Sequence, residues 1–119
     1  MIVQQKKVNK PWGHEIIWSH CDKFVGKILC INKGHKLSRQ YHKQKEETIF
    51  VLTGTLLLEV GMGSKMEQIN LKRGQSFHVT PGTIHRFCAD FGDVELAEVS
   101  TPELDDVVRL EDDYERSEQ

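Results

Sequence analysis

Short runs of β-branched and aromatic residues recur along this chain about every eight to twelve residues, with turn-forming residues between them. This rhythm is typical of antiparallel sandwiches and barrels. The apolar spacing that marks amphipathic helices is nearly missing. The sequence therefore predicts an all-β fold, with nine strands at residues 15–19, 24–31, 38–42, 48–53, 56–60, 67–71, 76–79, 85–88 and 94–100.

Glycine and proline mark the reversals between several of these strands. Gly61-Met62-Gly63-Ser64 predicts a hairpin loop, and residues 72–75 and 80–83 supply the next two turns. We therefore expect a meander of antiparallel strands.

The pattern changes after the last predicted strand. Ser100 and Glu103 have the spacing of a capping box, and Pro102 suits a first helical turn. The apolar residues at 104, 107 and 108 form one stripe on a helix. A short helix is predicted here, ending at about residue 110.

Length and composition limit the range of functions. A chain of 119 residues predicts a single domain, with a core at residues 10–110 and a polar tail at 111–119. The net charge of -2 gives no basic surface for nucleic acid, and no apolar run is long enough to cross a bilayer. Residues 1–10 carry no secretory pattern, and three cysteines without metal-type spacing suit a reducing compartment. We expect a cytoplasmic protein.

Four polar side chains are positioned to converge on one face of the predicted sheet. Gln40 and His42 lie two residues apart on a strand, so both point to the same side. Glu47 joins that side only if the polar run 43–45 interrupts the ladder, and His85 begins a later strand. Two histidines and a carboxylate are a set that divalent first-row metals favour, and Gln40 offers an additional carbonyl oxygen.

These residues lie in two stretches that resemble the paired motifs of the cupin superfamily. Leu37-Ser38-Arg39-Gln40-Tyr41-His42 and Gly82-Thr83-Ile84-His85-Arg86 are similar to the C-terminal cupin domain of type II mannose-6-phosphate isomerases. The likeness extends to Pro11-Trp12-Gly13 and to residues 106–114, and therefore spans nearly the whole chain.

The resemblance implies a small jelly roll, or double-stranded β-helix, in which Gln40, His42, Glu47 and His85 hold one divalent metal ion. Zinc is the first expectation for that ion, with iron, manganese, cobalt or nickel as alternatives. A homodimer is also implied, because small cupins commonly pair through edge strands.

Other residues are candidates for contact with a sugar or sugar phosphate. Arg109 and Arg116 match the terminal motif of the family, and Lys45 is a further basic candidate. His78 and Lys27 are the candidates for the general base. One departure affects this region: Lys43-Gln44-Lys45 stands where the family usually has two histidines and an arginine.

Three functions remain open from the sequence. The first is a metal-dependent sugar-phosphate isomerase of the mannose-6-phosphate isomerase type, which interconverts an aldose and a ketose. The second is a non-haem iron dioxygenase, for which His42, Glu47 and His85 suffice. The third is a non-catalytic carbohydrate-binding or regulatory cupin, which the altered segment 43–45 favours.

Overall fold

The computed structural model describes residues 1–62 and 64–115. Within those residues the chain forms eleven strands and no helix. The strands are β1 (Lys6–Lys10), β2 (Gly13–His20), β3 (Val25–Ile31), β4 (Arg39–Tyr41), β5 (Glu47–Thr53), β6 (Thr55–Met62), β7 (Lys65–Lys72), β8 (Ser76–Val79), β9 (Ile84–Cys88), β10 (Val94–Ser100) and β11 (Val108–Glu111).

The strands form two antiparallel sheets. One has six strands in the order β1-β2-β3-β10-β5-β8, and the other has five in the order β11-β4-β9-β6-β7. A single apolar core joins the sheets, with Leu29 and Leu96 from the first and Leu58 and Phe87 from the second. The all-β jelly-roll prediction is confirmed.

The inward-facing positions of the six-stranded sheet change character along the strands. On β10 they run from Val94 and Leu96 to Glu98, all buried. On the neighbouring β5 they run from Val51 through Ile49 to Glu47. One end of the space between the sheets is therefore a dry apolar core, whereas the other end is lined by charged groups.

All nine predicted strands are present, with bounds that differ by at most two residues. β1 was not predicted, because its sequence KKVNK carries no run of apolar residues. It forms by pairing with β2, in a register that places Val8 opposite Glu15. The six-stranded sheet therefore begins at Lys6.

The helix predicted for residues 100–110 is wrong. Residues 101–107 form turns and extended chain, and β11 follows as a strand paired with β4. Polar groups in this segment bind the loop before β5 rather than capping a helix: Thr101 Oγ1 accepts a hydrogen bond from the Glu46 amide, at 3.0 Å. Tertiary contacts thus outweigh a weak local helix signal.

The predicted polar tail contacts the barrel in the part that is described. Arg86 is buried and donates to Glu111 Oε1 at 3.0 Å and to Asp113 Oδ1 at 2.8 Å. Tyr114 packs against the apolar core and hydrogen-bonds to His35. Among the described residues, no helix is long and apolar enough to cross a membrane.

Candidate metal centre

Turns bring the two sequence motifs together at the charged end of the barrel. His42 directly follows β4, Glu47 begins β5, and His85 lies in β9. The amide of Gly82 donates to the carbonyl oxygen of His42 at 2.8 Å, which fixes the turn before β9 against the end of β4. Gly82 has a φ of +84°, a conformation that suits glycine.

One carboxylate binds three successive amides in the loop between His42 and Glu47. Asp106 Oδ1 accepts from the amide of Lys43 at 3.0 Å, and its Oδ2 accepts from Gln44 at 2.7 Å and from Lys45 at 2.8 Å. These contacts stabilise the break in the ladder that lets Glu47 face the same interior as His42. The predicted interruption at residues 43–45 is therefore present, although its anchor was not foreseen.

His42, Glu47 and His85 form a compact and buried cluster. Each offers one ligand atom, and these atoms lie within 4.8 Å of one another. Glu47 Oε1 is 3.7 Å from His42 Nε2 and 3.3 Å from His85 Nε2. Ligand bonds of about 2.1 Å require ligand atoms to be separated by such distances. Each of the three residues is at most 3% exposed.

The backbone orients both imidazoles. His42 Nδ1 binds the carbonyl oxygen of Asp106 at 2.5 Å, and His85 Nδ1 binds that of Thr83 at 2.9 Å. A carbonyl oxygen only accepts, so each Nδ1 carries the hydrogen and each Nε2 faces Glu47. Neither buried Nε2 has a hydrogen-bond partner within the described parts of the chain. Histidines that bind metals are commonly oriented in this way, so the cluster fits a cation.

The carboxyl of Glu47 is held in its charged form. Burial opposes ionisation, but the imidazoles of His42 and His85 and the ammonium of Lys45 lower the pKa of Glu47 well below its ordinary value of 4.5. Metal ions bind the deprotonated forms of such ligands, so we expect the metal affinity of this cluster to fall at low pH.

A second carboxylate lies beside the cluster and shares a lysine with it. Lys45 Nζ is 3.2 Å from Glu47 Oε2 and 3.3 Å from Glu98 Oε2. Burial disfavours the ammonium, but Glu98 and Glu47 outweigh that cost and raise the pKa of Lys45 above its ordinary value. Burial and the charge of Glu47 raise the pKa of Glu98. Lys45, predicted to bind substrate, therefore already has its charge compensated by two carboxylates.

Gln40 lines the same cavity as the cluster. It pairs with His85 in the ladder between β4 and β9, and its Oε1 accepts a hydrogen bond from Ser38 Oγ at 2.6 Å. The other lone pair of Gln40 Oε1 takes no part in this hydrogen bond. Its role as a fourth ligand remains a prediction.

The cluster opens into a cavity of about 280 Å³ between the two sheets. Besides Gln40 and His42, its lining carries five basic and four acidic side chains. These are Lys6, Lys10, Lys27, Lys45, Arg109, Glu15, Glu47, Glu98 and Asp105.

The remaining predicted residues fall in different places. Lys27 and Arg109 line the cavity. His78 does not: on β8 it faces the outer surface, where its side chain is 53% exposed and binds Glu46 and Thr48. Alternation along β8 explains this, because the neighbouring Val79 is the residue that is buried. Arg116 lies outside the described residues.

Sequence reasoning missed several charged residues of the cavity. Glu98 had a usable signal, since it continues the inward series of Val94 and Leu96 on β10. Lys6 and Lys10 had none, because their position depends on the pairing of β1 with β2.

The fold and the buried histidine and glutamate cluster define a cupin. More narrowly, the chain matches the family described as "Mannose-6-phosphate isomerase C-terminal" over residues 1–112, and it belongs to that family. Xanthan biosynthesis protein XanB of Xanthomonas campestris pv. campestris is 33% identical over 117 residues. That alignment covers 94% of this chain but only 24% of the relative.

Solved structures share the fold at lower identity. KdgF from Halomonas sp. has a TM-score of 0.71 at 19% identity, and the match covers 84% of this chain and 86% of that one. The capsular polysaccharide assembling protein CapF from Staphylococcus aureus has a TM-score of 0.77 at 12% identity, covering 92% of this chain and 33% of that one. Hydroxypropylphosphonic acid epoxidase from S. wedmorenis has a TM-score of 0.69 at 18% identity, covering 83% and 56% respectively.

Proposed function

We propose that this chain is a metal-dependent sugar-phosphate isomerase of the mannose-6-phosphate isomerase type. The observation that carries the proposal is the convergence of two oriented imidazoles and one carboxylate at the floor of a cavity that is open to a ligand. Family membership and the likeness to a xanthan biosynthesis protein support a sugar ligand.

His42, Glu47 and His85 would hold the divalent cation, with Gln40 as the predicted fourth ligand. A cation bound there supplies a Lewis acid for the carbonyl and neighbouring hydroxyl oxygens of an open-chain sugar. Zinc is the first candidate for the cation, and the identity of the metal stays a prediction.

Interconversion of an aldose and a ketose also requires a proton to move between adjacent carbons. Lys27 and Glu98 are direct cross-strand partners on β3 and β10, and both face the cavity. We assign them the proton transfer: Glu98 takes the proton from C2 and returns one to C1, while Lys27 donates a proton to the oxygen at C1 and regains one from the hydroxyl at C2. His78, the other predicted base, is omitted because it faces the opposite side of the sheet.

The test is turnover by the metal-loaded protein in deuterated solvent, with mannose 6-phosphate and related aldose phosphates as substrates. We expect formation of the ketose phosphate with solvent deuterium at C1, and loss of both in Glu98→Gln. Glu95→Gln is the matched control, since Glu95 lies on the same strand but its residue is exposed. Absence of product and of deuterium incorporation with every substrate, at full metal occupancy, would remove the proposal.

The same experiment separates the two alternative functions. Oxygen uptake that requires iron would identify a non-haem iron dioxygenase, which the set of His42, Glu47 and His85 also permits. Saturable sugar binding without turnover or exchange would identify a non-catalytic carbohydrate-binding or regulatory cupin. The homodimer and the cytoplasmic location remain predictions, and sedimentation analysis tests the first.

A further inference from the structure

The cavity has a second charged region on the side of β1, away from the metal cluster. Glu15 lies on β2 between two ammonium groups, with its Oε1 3.7 Å from Lys10 Nζ and its Oε2 3.4 Å from Lys27 Nζ. Lys6 lies on the same inward side of β1 as Lys10 and also lines the cavity. One carboxylate therefore stands among three lysines.

These lysines differ in how completely their charge is compensated. Lys27 is buried and donates a hydrogen bond to Glu15. The Lys10 side chain is 30% exposed and lies farther from the same carboxylate. Lys6 is exposed. Because Glu15 is already paired with Lys27, the charges of Lys10 and Lys6 remain available to a ligand at the cavity mouth.

The charge at the mouth of the cavity favours an anion. Lys6 and Lys10 place two positive charges there beside the one carboxylate of Glu15, and a bound divalent cation would add two further positive charges. An excess of positive charge near low-dielectric walls attracts anions. A neutral sugar would leave this charge uncompensated.

We infer that Lys6 and Lys10, with Glu15 behind them, form an anion-binding subsite for the phosphate group of a sugar phosphate. This inference deepens the proposed function and rests on it for the sugar, but not for the phosphate. Glu15 and Glu47 lie on strands three spacings apart, roughly 14 Å along the sheet. An extended six-carbon sugar phosphate spans a comparable distance once a metal–oxygen contact at one end and a lysine hydrogen bond at the other are added. Its carbonyl end would then reach the metal cluster while its phosphate contacts β1.

The test measures binding rather than turnover. Inorganic phosphate, mannose 6-phosphate, glucuronate and mannose are titrated calorimetrically into the full chain, metal-free and zinc-loaded, at low salt. We expect the double variant Lys6→Gln/Lys10→Gln to bind both phosphates about tenfold more weakly or worse. Lys10→Arg should retain binding, since it keeps the charge.

Lys7→Gln is the matched control, because Lys7 belongs to the same strand and its residue is exposed, but it does not line the cavity. It should bind phosphate like the parent protein. Equal phosphate affinity in the double variant and in Lys7→Gln would overturn the subsite, as would undetectable phosphate binding by the parent. Tighter binding of glucuronate than of mannose 6-phosphate would overturn the phosphate assignment in favour of a carboxylate.

The outcomes distinguish this inference from the proposed function. If the isomerase test fails but phosphate binding depends on Lys6 and Lys10, the anion-binding subsite is supported and the proposed isomerase function is rejected. If turnover of mannose 6-phosphate occurs with the same KM in the double variant as in the parent, the isomerase function is supported and the anion-binding subsite is rejected.

Discussion

The two ends of the cavity are built in different ways. At the metal end, His42, Glu47 and His85 are buried within 4.8 Å of one another, and hydrogen bonds to the backbone fix the imidazoles. At the β1 end, Lys10 and Lys27 share Glu15 at longer distances, and Lys10 is partly exposed. The metal end is therefore suited to hold one small cation rigidly, whereas the β1 end is suited to attract a ligand that exchanges with solvent.

The largest expected effect concerns the buried charges of the metal end. Lys45→Met leaves Glu47 and Glu98 buried side by side without their shared cation. We expect the free energy of unfolding to fall by about 3–5 kcal/mol in metal-free protein, measured by urea denaturation. Saturating zinc should reduce that loss, because a cation at Glu47 compensates part of the charge.

Lys43→Met is the control for this change, since Lys43 is exposed two residues away in the same loop. Its free energy of unfolding should stay within about 0.5 kcal/mol of the parent value. Equal losses in the two variants would mean that the buried ion pairs do not stabilise the metal end.

The next effect concerns the ligand set. Glu47→Gln removes the only carboxylate of the three-residue cluster, and we expect zinc affinity to fall at least about a hundredfold, since even indirect supports of a metal ligand contribute up to this amount. Competition with a chromophoric chelator measures it. Glu46→Gln removes a neighbouring carboxylate whose side chain is 45% exposed and should leave the affinity unchanged.

A smaller effect concerns the anchor of the loop between the ligands. Slight burial opposes ionisation of Asp106, but amide donors at residues 43–45 lower its pKa below the ordinary value of 3.8. A lowered folded-state pKa stabilises the protein above the unfolded value, and this contribution is lost as pH falls through the folded value. Asp106→Asn should therefore flatten the loss of stability below about pH 4, measured by thermal unfolding across pH. An unchanged acid limb would contradict the role of this carboxylate.

The smallest effect tests whether the two ends act independently. Lys10→Gln removes a positive charge from the β1 end, so zinc affinity should rise slightly, by at most about fivefold at low salt. The rise should vanish at high salt, because mobile ions screen charges at this separation. A loss of zinc affinity would contradict the division of the cavity into two ends, and Lys7→Gln serves as the control.

The same contrast explains how much the sequence could predict. Spacing alone placed Gln40 and His42 on one face. Glu47 joined them only with an assumed break in the ladder, and the full set with His85 came from the resemblance to the cupin motifs. Nine strands followed from apolar alternation. Lys6, Lys10 and Glu15 meet only because β1 pairs with β2, and KKVNK carries no alternation that predicts a strand.

The C-terminal error has a related cause. Thr101 and Asp106 bind backbone amides of residues 43–46, which lie far away in the sequence. Local sequence patterns contain no information about such distant partners. The capping-box spacing of Ser100 and Glu103 therefore predicted a helix that does not form. His78 shows a different limit, because a strand has two faces and only the burial of Val79 decides which one His78 occupies.

The central claim is that His42, Glu47 and His85 bind one divalent cation at the floor of the cavity. X-ray absorption at the metal edge, on protein loaded with zinc or cobalt and dialysed, tests it most directly. We predict one metal per chain, with two imidazole nitrogens and carboxylate oxygen at about 2.0–2.2 Å, and with the imidazole scattering halved in His85→Ala. Retention of less than a tenth of a metal per chain, or an all-oxygen shell without imidazole, would contradict the claim.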